Sequence, residues 1–80
     1  MILPTKNINF SKSLLGFGSY ILSLLDSSQS IDDLWQQYRK DYKKKKYPGK
    51  HTFDNLIMTL IFLYVAGCIL EQDGLIKRCV

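Results

Sequence analysis

Apolar residues recur every three or four positions through three stretches of the chain, and turn signals separate those stretches. Leu14, Phe17, Ile21, Leu24 and Leu25 follow the helical period and predict a first helix over residues 12–25, with Ser11 as its cap. Gly16, Ser19 and Ser23 fall on its other side. Small residues on one stripe admit a close neighbour, or they mark a weak surface face. Gly16 and Gly18 each cost about 1 kcal/mol of helix propensity against Ala. A polar turn over residues 26–29 leads to Ser30-Ile31-Asp32-Asp33, the Ser-x-x-Asp form of a helix start. Ile31, Leu34, Trp35, Tyr38 and Tyr42 then share one face of a second helix. This helix should fray into the lysine run and stop before Pro48-Gly49.

Thr52 caps a third helix, Asp54 sits in its first turn, and Gly67 supplies the left-handed stop. Residues 68–72 and 75–79 flank Asp73-Gly74, one of the strongest hairpin signals a sequence can carry. At the other end, Ile2, Ile8 and Phe10 alternate around Pro4, as in an extended arm that could pair with the hairpin edge. Three helices closing on a two-stranded hairpin define an α+β, winged-helix-like domain over residues 1–80. A single core of that size is marginal without a partner, a metal or a disulfide.

In DNA-binding winged helices, the helix before the hairpin presents polar side chains to base edges. Here that helix carries no Arg, Lys or Gln, and Asn55 is its single candidate reader. At 100° per residue, Phe53, Leu56, Ile57, Leu60 and Tyr64 gather on one side and are expected to enter the core. Met58, Phe62 and Val65 lie opposite, near Asp54, Asn55 and Thr59. A helix that is apolar on both sides needs more cover than one small domain supplies. Met58, Phe62 and Val65 are therefore the candidate partner-binding residues, with cover by the N-terminal arm as the alternative.

The net charge of +4 matters because it is concentrated. Lys40, Lys43, Lys44, Lys45 and Lys46 lie close together, flanked by Arg39 and Lys50. Lys43 to Lys46 are candidates for contact with phosphate or an acidic protein surface; a solvated helix end explains them equally well. Cys68 and Cys79 face each other at a hydrogen-bonded position of the hairpin, where side chains diverge. With no signal peptide ahead of the first helix, reduced thiols in a cytoplasmic protein are expected. The apolar run over residues 56–70 is shorter than the roughly 20 residues of a membrane span. There is no paired metal-ligand spacing, no phosphate loop and no Ser/His/Asp set, so no enzyme, metal or cofactor is expected.

Several segments resemble a known family: Ile2-Leu3-Pro4-Thr5-Lys6, Ser13-Leu14-Leu15-Gly16, Ile31-Asp32-Asp33-Leu34-Trp35, Thr52-Phe53-Asp54-Asn55-Leu56 and Leu63-Tyr64-Val65-Ala66-Gly67. Together they look like the small middle components of bacterial ABC-three component systems. Those proteins are encoded beside an SMC- or Rad50-like ATPase in anti-phage loci related to Lamassu defence. The resemblance implies a non-enzymatic subunit that binds the ATPase, with an effector subunit as a second candidate partner and DNA as an auxiliary contact. No membrane partner is implied, and such a subunit would self-associate when alone. A DNA-binding winged-helix transcriptional regulator is the alternative, and it would need cations on the third helix or more than Lys77 and Arg78 on the hairpin.

Overall fold

The computed structural model describes residues 13–79. The arm over residues 1–9 and the Ser11 cap lie outside the described residues. Three helices, α1 (Leu14–Leu24), α2 (Ile31–Lys43) and α3 (Phe53–Val65), precede an antiparallel hairpin of β1 (Ile69–Gln72) and β2 (Leu75–Arg78). This is the expected α+β order of three helices and a hairpin.

Each helix begins on a side chain that satisfies an orphan backbone donor. The Ser13 hydroxyl accepts from Gly16 N, and the Thr52 hydroxyl accepts from Asn55 N. Ser30 and Asp33 form a reciprocal capping box at the start of α2. The lysine run does not fray as expected. Lys46 N donates to Asp41 O at 2.8 Å and Lys45 N to Tyr42 O at 3.1 Å, with Lys45 at φ 60. That double closure is a Schellman end, so the helix stops before Pro48-Gly49 as expected but in a defined turn at the lysines. α3 ends the same way, with Gly67 at φ 80 and Cys68 N on Leu63 O at 2.8 Å. Asp73 and Gly74 both take positive φ, which is the type I′ geometry of a two-residue hairpin.

The hairpin pairs Gln72 with Leu75 and Ile69 with Arg78. Beyond it, Cys79 N donates to Cys68 O at 2.9 Å, and both thiols are free. Gln29, in the turn between α1 and α2, bridges Ile76 on the outer edge of β2 through two backbone hydrogen bonds of 3.0 and 2.7 Å. Part of the edge that the N-terminal arm was expected to use is therefore taken by the α1–α2 turn.

The core joins Phe17 and Ile21 of α1, and Leu25 just after it, to Leu34 and Tyr38 of α2 and Leu56, Leu60 and Leu63 of α3. Ile69 and Ile76 close it from the hairpin. Leu14 and Tyr42, expected inside, are exposed, whereas Gly16 and Gly18 are buried. Gly18 is where α1 meets α3. A Cβ built there would lie 3.3 Å from Leu63 Cδ2 and 3.7 Å from Thr59 Cγ2. Gly18→Val should therefore lower the free energy of unfolding by about 1–3 kcal/mol through overpacking. Gly18→Ala should change it far less, because its gain in helix propensity offsets the tight contact. Denaturant unfolding of both variants checks this.

Candidate partner-binding face and basic groove

Of the α3 residues, Leu56, Thr59, Leu60 and Leu63 are buried. This corrects the expected orientation. Tyr64, expected in the core, is 62% exposed, and Phe53 is also exposed. Thr59, expected on the outer side, is fully buried. The physical reason is the Gly18 contact, which receives the Thr59 methyl and the Leu63 side chain. The Thr59 hydroxyl is satisfied within its own helix by Asn55 O at 2.7 Å, so it can be buried without loss of a hydrogen bond. Apolar content alone could not set the rotation of a helix that is apolar on nearly every side.

The three sequence-identified residues do face outward, with Met58 54%, Phe62 48% and Val65 79% exposed. Ile61 and Tyr64 join them, so the uncovered face is wider than the sequence pattern indicated. It runs on towards the hairpin in an apolar groove of about 180 Å³, walled by Ile57, Ile61, Tyr64, Leu70 and Ile31, with Glu71 at its rim. A run of exposed apolar side chains from one end of a helix to the other is the pattern of a protein interface.

The lysine run divides. Lys43 is the last residue of α2 and lines a groove of about 460 Å³ together with Trp35, Arg39, Lys40, Tyr42 and Lys50. Lys44, Lys45 and Lys46 follow in the Schellman turn, fully on the surface and outside that groove. Sequence reasoning placed Arg39, Lys40 and Lys50 only as neighbours of the run. The signal that could have found the groove is the α2 spacing 35, 38, 39, 42, 43, which puts rings and cations on one stripe.

An aromatic cluster fixes the groove's floor. Tyr38 is buried, donates its hydroxyl to Gly49 O at 2.9 Å and accepts from His51 N at 2.6 Å. These two bonds tie the loop carrying Lys50 to the middle of α2. The His51 ring lies parallel to Phe17, with centroids 3.9 Å apart, and its Nδ1 is 3.3 Å from the Asn55 amide. Next to it, Tyr20 donates to Asp41 Oδ2 at 2.6 Å, and Gln37 holds the other Asp41 oxygen at 3.0 Å. Burial first, and the bond to Asp41 second, push the Tyr20 phenol well above its ordinary value. Burial does the same for Tyr38 and Tyr47.

Among the described residues there is no group of three or more His, Cys, Asp or Glu side chains that could hold a metal ion. No helix among them is long and apolar enough to cross a membrane.

Among the described residues, the three helices and the hairpin leave one apolar face of α3 exposed. The chain belongs to the family described as ABC-three component (ABC-3C) system Middle Component 6, whose model matches residues 3–79. No curated protein matches the chain, and no solved structure matches it.

The raised phenols have a pH consequence with a definite sign. A phenol ordinarily ionises near pH 10. Because the folded chain holds these protons more tightly than the unfolded chain, their stabilisation is complete below that pH and is lost as pH rises above it. The melting temperature should fall as the pH rises above about 10, and Tyr20→Phe should make the fall shallower. Parallel melting curves for the two proteins across that range would contradict the assignment.

Proposed function

We propose that this chain is a non-catalytic accessory subunit that docks on the SMC/Rad50-like ABC ATPase of a bacterial anti-phage complex. The supporting observation is the uncovered face of α3, where Met58, Phe62 and Val65 stand exposed beside Ile61 and Tyr64 in a family defined as a system component. A partner that buries this face removes apolar surface from water, at roughly 25 cal/mol per Å² before the costs of association. The order of α1, the Gln29 bridge, α2, α3 and the hairpin supports a winged-helix classification. An α3 without Arg or Lys supports a protein partner for that helix over a DNA groove. The effector subunit would be a second protein partner, and the exposed Lys43, Lys44, Lys45 and Lys46 would give an auxiliary, salt-sensitive contact with DNA. The working compartment in this account is the cytoplasm.

Co-expression of the chain with the ATPase encoded beside it tests this. Wild-type protein should co-purify in a defined complex and melt at a higher temperature there than alone, because a ligand of the native state stabilises by mass action. Expressed alone, it should self-associate through the same face. Phe62→Asp should abolish the complex and leave the melting temperature of the isolated chain within a few degrees, since Phe62 is half exposed. Collapse of the isolated variant, or an undiminished complex, would refute the docking assignment.

A further inference from the structure

The groove on α2 has a chemistry that the partner face lacks. Four cations line it, Arg39, Lys40, Lys43 and Lys50, and no carboxylate is among the lining residues. Two rings stand between them. Trp35 is held edge-on by Phe53, with centroids 5.5 Å apart at 84°, and leans on Tyr38 at 5.3 Å. Tyr42 also leans on Tyr38, at 5.9 Å, and is exposed. The rings are thus fixed by a buried neighbour whose hydroxyl also anchors the Lys50 loop. Cations alone would suit any anionic surface. Cations interleaved with preset aromatic surfaces suit a ligand that alternates phosphates with flat, stackable rings.

We infer that this groove binds single-stranded nucleic acid, with Trp35 and Tyr42 stacking on bases while Arg39, Lys43 and Lys50 contact the phosphates. A duplex keeps its base faces stacked inside and shows only base edges in its grooves, so it cannot use the two rings. An unpaired strand exposes base faces at a spacing set by its flexible backbone. The inference rests on the proposal that this subunit touches nucleic acid, and it moves the contact from Lys44, Lys45 and Lys46 to the groove.

Trp35 is the chain's single tryptophan, so its fluorescence reports occupancy of the groove directly. The full chain is titrated at low salt with an oligothymidine, with a duplex of equal length and with polyglutamate. The oligothymidine should quench Trp35, while the duplex and polyglutamate leave it unquenched. Tyr42→Ala should weaken oligothymidine binding about tenfold, in line with stacking on one base. Replacing Arg39, Lys43 and Lys50 by Gln should reduce the slope of log affinity against log salt by about 2, at roughly 0.7 per phosphate contact on a single strand. Circular dichroism of each variant shows whether it remains folded, and Tyr42→Phe, which keeps the ring, should bind as wild type.

Equal quenching by duplex would overturn single-strand recognition, and quenching by polyglutamate alone would assign the groove to an acidic protein. If the oligothymidine binds but the loss appears only when Lys44, Lys45 and Lys46 become Gln, the nucleic-acid contact stands and the groove assignment falls. If no nucleic acid binds at low salt, both fall.

Discussion

The rotation of α3 about its own axis is decided where Gly18 brings α1 against Thr59 and Leu63. A side chain larger than a methyl group at position 18 would press α1 and α3 apart or turn α3 toward another of its apolar faces. With hydrogen there instead, Thr59 enters the core beside Leu56, Leu60 and Leu63, its hydroxyl returned to Asn55 O. The remaining apolar residues of the helix are then turned outward by geometry. One small core cannot take both sides of a helix this apolar. The glycine that costs α1 helix propensity therefore also selects which apolar face of α3 stays exposed.

Around the other half of the core, Tyr38 performs a comparable selection with polar chemistry. Its ring fills the space between Phe17 and Tyr47, while its hydroxyl satisfies Gly49 O and His51 N in the loop before α3. Buried backbone groups in that loop would otherwise go unpaired, at a cost of about 1–3 kcal/mol each. The same two bonds hold Lys50 next to Lys43 and Arg39 and so create the basic groove. The exposed α3 face and the groove are thus consequences of packing at two points, one apolar and one hydrogen-bonded.

Much of this was legible in the sequence because local rules fixed it. Ser30 with Asp33, Thr52, Gly67 and Asp73-Gly74 are short-range signals, and the helix and hairpin ends follow them closely. What could not be read there depended on contacts distant in sequence. The burial of Gly18 and Thr59 needs α1 and α3 to meet, and the Gln29–Ile76 bridge joins residues 29 and 76. The Schellman end at Lys45 was obscured by a lysine where glycine is usual. The exposure of Met58, Phe62 and Val65 is legible because they lie opposite most of the core residues, whereas the exposure of Tyr64 depends on the rotation of α3 that Gly18 sets. The groove needs Lys50, which a loop distant in sequence from Trp35 and Arg39 brings alongside α2.

A subunit that docks through α3 must bury the outward face of that helix in the assembled system. Hydroxyl-radical footprinting with mass spectrometry reads this at single residues, since Met58, Phe62 and Tyr64 are all exposed in the monomer. On assembly with the proposed ATPase partner, their oxidation should fall several-fold from that of the dilute monomer, while buried Tyr38 stays protected in both states. Unchanged oxidation of Met58 and Phe62 in an intact complex would show that the partner binds elsewhere and would contradict the account.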